Sequence, residues 1–373
     1  MTWAKSTLAD FMADCVLYRN LEPTCEGQRG LHALWSEAGL ERYYIPRKTT
    51  PEYARALLLL LGEAQRARGV TRPIERALLI GDTLLNDGTA ARHLGEHLPM
   101  RGFIGADRPE EPAACAWQDV LMVANRWGAL ADFYGGVQEA GYPCDETTAL
   151  LIDLDKTALG ARGRNDGVID TARVRAMRRT LRSALDGALD EAAFRRVYDA
   201  LNQPTYHCFT GDNQDYLAYI TLMVLGGVCP ADALWAGLEA GTLRTIEELA
   251  ALCDARRGAM PEGLRAAHDE VCRGIAAQDP TPYKGFRRRE FLETVASMDV
   301  LPDDAPAEEV LAREIVITEE VASLARHLAA QGVLVMGVSD KPDEASLPTP
   351  ASAARGCQPI HRTTMKVYGD PIA

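Results

Sequence analysis

The sequence lacks any long apolar run. Its densest apolar stretch, residues 56–61, is much shorter than the roughly 20 apolar residues that a membrane-spanning helix needs. The first residues also lack the basic and then apolar pattern of a secretory signal peptide. We therefore expect a cytoplasmic protein that has no membrane partner.

Cysteine pairs and an excess of basic charge are also missing. The nine cysteines are scattered without a Cys-x-x-Cys pair, so neither a zinc site nor a disulfide framework is indicated. The net charge is −13, whereas a nucleic-acid-binding surface would need a basic face. Nucleic acid is therefore not an expected partner, although local arginines could still bind a small anionic substrate. We expect the run Arg287-Arg-Arg289 to lie on a solvated surface.

Motifs of several common enzyme classes are absent as well. The sequence contains no Walker loop, no Gly-x-Gly-x-x-Gly fingerprint and no Ser-His-Asp nucleophile elbow. Its length of 373 residues and apolar content of 47% nevertheless allow a sizeable core. A chain of this length forms two domains or one domain with a large insert.

Short apolar runs that end in polar residues predict the strands of a sheet. They occupy residues 77–81, residues 101–105, a run that ends at Asp153, residues 332–339 and part of 359–367. Such runs are typical of parallel strands that are buried on both faces. The sequence therefore predicts an α/β protein with a Rossmann-like parallel sheet. Helical patterns occupy residues 51–70, 89–98, 118–141, as one long helix or two, and 310–330.

From about residue 171 to about residue 298 no convincing strand pattern occurs. This region predicts an α-helical domain inserted into the α/β protein. We place the first part of the core at residues 1–160, the helical domain at 161–308 and the second part of the core at 309–373. The helical patterns within the insert are residues 171–185, 190–201, 214–225, 231–240, 245–257, 261–277 and 289–298.

The most informative stretch is Asp153-Leu-Asp155-Lys-Thr157, which follows an apolar run. Open α/β sheets bind ligands at the carboxyl ends of their strands, where these two acids are expected to lie. A carboxylate at such a place can act as a nucleophile, and one two residues further on can act as a general acid and base. The alternative is an ordinary turn at the end of a strand.

Three other segments supply groups that phosphoryl transfer needs. Asp82 and Asp87 follow the predicted strand at residues 77–81. Ser339 ends another predicted strand, and Lys48 lies just before the start of a helix. Attack on a phosphate monoester requires a nucleophile, a divalent cation, donors for the phosphoryl oxygens and a proton donor for the leaving group.

These residues can be assigned roles in that reaction. Asp153 would attack the phosphorus, and Asp155 would protonate the leaving group and then activate water. Ser339 would donate a hydrogen bond to a phosphoryl oxygen. Lys48 would neutralise the clustered carboxylates and the phosphoryl group. Residues Lys341 and Lys366 remain competitors of Lys48 for that role.

The acids also predict a magnesium site, because Mg²⁺ prefers carboxylate, carbonyl and water oxygens. Asp82 and Asp153 would bind the ion together with the backbone carbonyl of Asp155. Asp87 would contribute directly or through a water molecule. Turn and helix-cap chemistry is the alternative explanation for Asp82 and Asp87.

The motifs resemble those of the haloacid dehalogenase (HAD) superfamily. Segment 153–157 resembles its first motif, Asp-x-Asp-x-Thr, and Ser339 resembles its second. Segment 81–87, a Gly-Asp pair with a second acid, resembles the fourth motif, and Lys48 resembles the third. The match covers most of the chain outside the helical block, which lies where the superfamily's common cap domain is inserted. The resemblance implies an aspartyl-phosphate intermediate and a Mg²⁺ cofactor.

The order of the motifs differs from that of the family. The family order is one, two, three, four, whereas here it is three, four, one, two. We interpret this as a circular permutation, with the chain cut after the strand near residue 367 and the helical pattern at residues 118–141 as the added bridge. The interpretation predicts that Ala373 and the stretch before Lys48 lie on one side of the sheet.

The acid at Asp155 selects a reaction within the family. The HAD members that release a halide lack an acid there, whereas an alkoxide leaving group needs a proton, so we expect a phosphatase acting on a small phosphorylated metabolite. Thr157, Arg162 and Arg164 are the expected substrate-binding residues, although the two arginines could instead belong to a flexible, solvated hinge.

Two alternatives remain open at this point. The chain could be a non-catalytic HAD-like binding or regulatory module, since the rearranged motif order could have loosened the site. It could also be a phosphotransferase or mutase that uses the same aspartate. The sequence identifies neither the physiological substrate nor the oligomeric state.

Overall fold

A mostly parallel sheet forms the centre of the larger of two compact units. The computed structural model describes residues 2–12, 15–187 and 189–372. The larger unit contains the described residues up to Thr171 and those from Thr294 onward, and the smaller unit spans Ala172–Glu293. In the described chain, no helix has both the length and the apolar character needed to cross a membrane.

The main sheet has seven strands in the order β2–β9–β7–β3–β4–β6–β5, and β1, β10 and β8 form a second, small sheet. Within the main sheet every described pairing is parallel except that of β5 with β6. Strand β7 therefore lies between β9 and β3. The ten described strands are β1 (Lys5–Ser6), β2 (Val16–Leu17), β3 (Arg76–Gly81), β4 (Met100–Gly105), β5 (Cys115–Gln118), β6 (Leu121–Ala124), β7 (Thr148–Asp153), β8 (Ile317–Thr318), β9 (Leu334–Val338) and β10 (Met365–Tyr368).

The adjacent strands β9, β7 and β3 are buried because helices cover both faces of a parallel sheet. Every residue of β7 and β9 is buried, and β3 is buried except for its first residue, which is partly buried. Ile152 of β7 pairs with Ile80 on one side and with Gly337 on the other. The predicted α/β class and the strands expected at residues 77–81, at 101–105, before Asp153 and within 332–339 are confirmed.

Sixteen α-helices complete the described chain. Strands are absent from the described part of the smaller unit, as the sequence predicted for residues 171–298. The helices are α1 (Ala9–Met12), α2 (Leu31–Leu34), α3 (Pro51–Ala67), α4 (Thr89–Gly95), α5 (Leu130–Glu139), α6 (Gly167–Ala184), α7 (Glu191–Leu201), α8 (His207–Thr210), α9 (Gln214–Leu225), α10 (Ala231–Glu239), α11 (Ile246–Asp254), α12 (Glu262–Ala276), α13 (Lys284–Val295), α14 (Ala307–Arg313), α15 (Glu319–Ala330) and α16 (Pro350–Ala353).

The helical prediction for residues 118–141 is wrong in its first part. Residues Leu121–Ala124 form β6, which extends the sheet beside β4, and only Leu130–Glu139 form the helix α5. Asp119 has a φ of +58° in the tight turn between β5 and β6. An aspartate tolerates this left-handed backbone better than most residues, so the turn can form where the apolar pattern indicated one long helix or two.

The continuous helix predicted at residues 310–330 is also wrong. A short strand, β8, separates α14 from α15 and pairs with β10. The run Ile315-Val-Ile-Thr318 consists entirely of β-branched residues. Such residues favour a strand over a helix because their side chains lose rotamer freedom against the preceding helical turn.

The predicted helical domain, residues 161–308, extends beyond the smaller unit at both ends. Asn165 is buried in the larger unit, where its side-chain amide donates to the carbonyl oxygens of Leu311 and Glu314. At the other end, Ile315 N donates to Ser297 O at 2.7 Å. These long-range contacts place residues 161–171 and 294–308 with the larger unit.

The two ends of the described chain meet in the small sheet. Strand β1 pairs antiparallel with β10, with Lys5 opposite Lys366, and Val367 N donates to Ala4 O at 3.0 Å. Ala373, on which part of the permutation prediction rests, lies outside the described residues.

Arg287 corrects the expectation of a solvated basic run. Its side chain is buried within the smaller unit, where it contacts Asp215 Oδ2 at 2.7 Å and Glu290 Oε2 at 2.6 Å. A buried guanidinium requires paired carboxylates, because an uncompensated charge in the interior costs several kcal/mol. Arg287 is thus a structural residue of the smaller unit.

Lys366, which lies in the small sheet, forms a buried ion pair with Glu314. Its ammonium group lies 3.0 and 3.1 Å from the two carboxylate oxygens of Glu314 and 3.0 Å from Asp299 Oδ1. The side chains of Lys366 and Glu314 are both inaccessible to solvent. Lys366 is therefore a structural cation.

We expect Lys366→Met to lower the free energy of unfolding by about 3–5 kcal/mol, because it leaves Glu314 buried without a counter-ion. Lys5→Met is the matched control, since Lys5 also pairs with Asp299 but lies at the surface. Urea denaturation measures both variants. Equal destabilisation by the two substitutions would show that burial of Glu314 is not what makes Lys366 important.

Candidate active site

Asp153 is the last residue of β7, at the centre of the carboxyl edge of the sheet. Its neighbours at this edge are the residues that follow β3 and β9. After Asp153 the chain turns sharply: Lys156 has a φ of +67°, and Ala158 N donates back to Asp153 O at 3.2 Å. Asp153 itself is only 7% exposed. Its carboxylate therefore faces the residues contributed by the neighbouring loops.

Lys48 joins two of the predicted acids. Its ammonium group donates to Asp153 Oδ1 at 2.7 Å and lies 2.5 Å from Asp87 Oδ1. The lysine is only 2% exposed, just ahead of α3, whose N-cap Thr50 fixes the start of the helix. Lys48, one of the three lysines that the sequence left in competition, thus contacts two of the predicted acids.

Asp87 organises the loop that follows β3. It lies in a single π-helical turn, Leu84–Gly88, and its Oδ2 accepts hydrogen bonds from the backbone N–H groups of Asp82 and Thr83 and from the Thr83 hydroxyl, at 3.0–3.1 Å. Its Oδ1 is buried and lies 2.5 Å from the ammonium group of Lys48. One oxygen thus holds the loop, and the other pairs with a cation.

Gly81 allows Asp87 to take this position. A Cβ atom at Gly81 would lie 2.4 Å from both Cβ and Cγ of Asp87, closer than real Cβ contacts. The glycine of the predicted Gly-Asp pair is therefore required by close packing against the second acid of the same motif.

We expect Gly81→Ala to lower the free energy of unfolding by about 1–3 kcal/mol, because Asp87 must shift to admit the methyl group. Gly128→Ala is the control, since a Cβ at Gly128 would meet no described atom within 4 Å. Urea denaturation of both variants checks the expectation. Two unchanged unfolding curves would contradict the proposed packing role of Gly81.

Asp82 completes the cluster of acids. One carboxylate oxygen from each of Asp82, Asp87 and Asp153 lies within 4.8 Å of the others. Three hard oxygen donors at this spacing fit the ligand preference of Mg²⁺. Two cations balance the acids: Lys48 contacts Asp87 and Asp153, and Arg162 contacts Asp82 Oδ2 through Nε and Nη2, each at 2.5 Å.

Burial and mutual repulsion shift the protonation equilibria of the cluster. Burial raises the pKa of Asp153 well above its usual range, although Lys48 opposes this shift. Burial and the charge of Asp87 raise the pKa of Asp82 to about 6, against the opposing effect of Arg162. Burial would also raise the pKa of Asp87, but the charge and hydrogen bond of Lys48 together with the hydrogen bonds from Thr83 outweigh it, and the pKa is lowered. Burial alone would lower the pKa of Lys48, but Asp153 and Asp87 raise it well above its usual value.

Asp155 lies in a different environment from Asp153. Its side chain is 25% exposed, and its Oδ2 lies 3.1 Å from the ammonium group of Lys341. Ser339 follows β9, and its hydroxyl accepts a hydrogen bond from Lys341 N at 3.1 Å. The partly exposed Asp155 and the buried Asp153 are thus only two residues apart. Lys341 pairs with Asp155, and Lys48 pairs with Asp153.

Two of the three predicted substrate-binding residues make structural contacts. Arg164 binds Glu320 through two hydrogen bonds of 2.8 and 3.0 Å and contacts Asp107 at 2.7 Å. Thr157 is fully buried; its carbonyl accepts from the Thr318 hydroxyl, and its own hydroxyl has no hydrogen-bond partner among the described residues. Arg162 is the predicted substrate-binding residue that contacts the clustered acids.

Sequence analysis did not identify Tyr53 and Asp340 as residues of this site. Tyr53 is buried in the first turn of α3, where burial raises its pKa and the charges of Lys48 and Asp340 act on it. Asp340 directly follows Ser339, and its charge also acts on Lys48. Their positions beside predicted site residues were the only signal, because neither belongs to a motif.

Comparison with known protein families, with curated proteins and with solved structures finds no match for this chain. The function of the site must therefore be argued from its residues and their geometry.

Proposed function

We propose that this chain is a Mg²⁺-dependent phosphatase that hydrolyses a small phosphate monoester through an aspartyl-phosphate intermediate. The observation that carries the proposal is the convergence of Asp82, Asp87 and Asp153, whose ligand atoms lie within 4.8 Å of one another beside Lys48. Segments far apart in the sequence supply these residues. If these residues only formed ordinary turns at the ends of strands, their side chains would not need to converge.

The proposal includes a circularly permuted HAD-like core with the helices of Ala172–Glu293 as a cap domain. Strand β7, which ends at Asp153, has as its neighbours β3, which precedes Asp82, and β9, which precedes Ser339. The motif-bearing strand ends are thus adjacent although their chain order is changed. The pairing of β1 with β10 supports the permutation, because adjacent ends are what a cut and rejoined chain requires.

In the first half of the proposed reaction, Asp153 attacks the phosphorus and displaces the alcohol. Lys48 is held between Asp153 and Asp87, where it offsets the negative charge of the attacking carboxylate and the phosphoryl group. Asp155 donates a proton to the leaving alkoxide, for which its partly exposed position is suited.

In the second half, water attacks the phosphorus of the aspartyl-phosphate, and the phosphorus–oxygen bond to Asp153 breaks. Asp155, now deprotonated, accepts a proton from this water, so inorganic phosphate leaves and both acids return to their starting states. Ser339 would donate a hydrogen bond to a phosphoryl oxygen throughout.

Asp82 and Asp153 would hold the Mg²⁺ ion, with Asp87 Oδ1 as a direct ligand or a partner through water. A bound Mg²⁺ ion supplies charge stabilisation to the phosphoryl oxygens. The buried carboxylate of Asp87, which offers a ligand atom within 4.8 Å of ligand atoms of Asp82 and Asp153, fits this assignment.

We expect Asp153→Asn to reduce phosphate release by at least about 10³-fold, because an amide cannot form the aspartyl-phosphate. Release of inorganic phosphate from a panel of sugar phosphates and nucleotides, with and without Mg²⁺, measures this. Asp132→Asn, an exposed position on α5, is the control for the loss of one carboxylate. Full activity of Asp153→Asn would eliminate Asp153 as the nucleophile, and an inactive wild-type protein across the panel would favour a binding module.

Metal binding and proton transfer are assigned to different residues, so each can be measured without the other. At a free Mg²⁺ concentration about 100 times the Kd, the ion should raise the free energy of unfolding of the wild-type protein by about 2.7 kcal/mol. Asp82→Asn should lose most of this stabilisation, because it weakens a direct ligand. Asp155→Asn should keep the stabilisation but lose activity by about 10²–10⁴-fold.

Thermal unfolding with and without Mg²⁺, combined with phosphate release, tests this separation. If Asp82→Asn keeps the full Mg²⁺-induced rise in Tm, the metal binds elsewhere and the assigned ligands are wrong.

A further inference from the structure

The guanidinium of Arg162 covers Asp82 from the solvent side. Both Nε and Nη2 lie 2.5 Å from Asp82 Oδ2. The arginine side chain is 36% exposed, whereas that of Asp82 is only 7% exposed. The contact therefore places an accessible cation on an acid that the proposed function assigns to Mg²⁺.

The backbone beneath this side chain is fixed. Arg162 N donates to Lys156 O at 2.8 Å, and Arg162 O accepts from Asp107 N at 2.8 Å and from Trp127 Nε1 at 3.2 Å. The next residue, Gly163, has a φ of +76°, and a Cβ there would lie 1.9 Å from Asp107 O. Any movement of the guanidinium must therefore come from rotation of its side chain.

Lys48 differs from Arg162 in this respect. It is buried, and the carboxylates of Asp87 and Asp153 both contact its ammonium group. Arg162 borders solvent, and among the described residues its guanidinium pairs with one carboxylate oxygen, Asp82 Oδ2. Of these two cations, Arg162 is the more accessible, so its guanidinium can move into solvent when another cation takes its place on Asp82.

We propose that Arg162 is an exchangeable counter-ion, which neutralises Asp82 until Mg²⁺ displaces it and then binds the phosphoryl group of the substrate. The inference rests on the proposed function, because it takes Asp82 as a metal ligand. Two cations compete for one carboxylate, and a released guanidinium gains a bidentate partner in a phosphoryl group. Metal and phosphate consequently bind with positive cooperativity.

Cooperativity of this kind is reciprocal. If phosphate captures the guanidinium, it removes the competitor of Mg²⁺ and tightens Mg²⁺ binding, and Mg²⁺ must tighten phosphate binding by the same factor. A bound Mg²⁺ ion also attracts phosphate directly, and that part of the coupling needs no arginine. The part of the coupling that is lost when the guanidinium is removed therefore distinguishes the exchange from a static ion pair.

Isothermal titration calorimetry of the full chain with Mg²⁺, in the absence and presence of inorganic phosphate, measures the coupling. The wild-type protein should bind Mg²⁺ more tightly in phosphate, by a factor of about 5–150, the usual range for coupled sites. Arg162→Gln should bind Mg²⁺ alone more tightly than the wild-type protein does. In this variant phosphate should tighten Mg²⁺ binding by a smaller factor than in the wild-type protein, because only the direct attraction between the metal and phosphate remains.

Arg108→Gln is the matched control. Arg108 is an exposed arginine of the same unit that pairs with Glu111, so its substitution removes one positive charge without touching the cluster. It should retain the coupling seen in the wild-type protein. An equal tightening of Mg²⁺ binding in both variants would mean that overall charge, and not release of Asp82, changed the affinity, and would overturn the inference.

The outcomes also separate this inference from the proposed function. If Mg²⁺ binding depends on Asp82 and Asp153 but is insensitive to Arg162→Gln, the exchange is wrong and the metal site stands. If the wild-type protein binds no Mg²⁺ with or without phosphate, both the metal site and the exchange are wrong.

Discussion

The ion pairs of Lys48 with Asp87 and Asp153 are the interaction on which the rest of the site depends. Bringing buried carboxylates together at one sheet edge costs several kcal/mol for each charge unless counter-ions and hydrogen bonds compensate. Lys48 compensates two of the acids at 2.5 and 2.7 Å, and Arg162 compensates the third. Without these cations the acids could remain close only by taking up protons.

The surrounding fold serves to keep these charges in place. Strand β7 sets the position of Asp153, and the π-helical turn after β3 presents Asp87 with one oxygen bound to backbone N–H groups and the other directed to Lys48. Gly81 leaves the space that Asp87 occupies. These features are local, but they are useful only because the parallel pairing of β3 with β7 brings the two loops to the same edge.

Sequence analysis could predict the elements that carry a strong local pattern. The apolar runs before Asp82, Asp153 and Ser339 identified three central strands, because buried parallel strands are apolar on both faces. The position of Lys48 before a helix start was also sufficient to place it among the candidates. Its contact with Asp153 could not be derived from spacing, because 105 residues separate the two.

The features that sequence analysis missed depend on long-range pairing. Strand β2 has only two residues, too few to show a period, and exists through its pairing with β9. Residues 315–318 were predicted to be part of a helix, although pairing with β10 makes part of this run a strand. The partners of the two arginines could not be predicted either. Arg164 pairs with Glu320 and Arg162 pairs with Asp82, and nothing in their positions two residues apart distinguishes them.

X-ray diffraction from crystals grown with Mn²⁺ and beryllofluoride tests the central claim most directly. Anomalous scattering locates the metal, and beryllofluoride mimics a phosphoryl group on an aspartate. The account predicts one manganese peak among Asp82, Asp87 and Asp153, with beryllofluoride density joined to the carboxylate of Asp153. A manganese peak remote from these three residues, or beryllofluoride on another side chain, would contradict it.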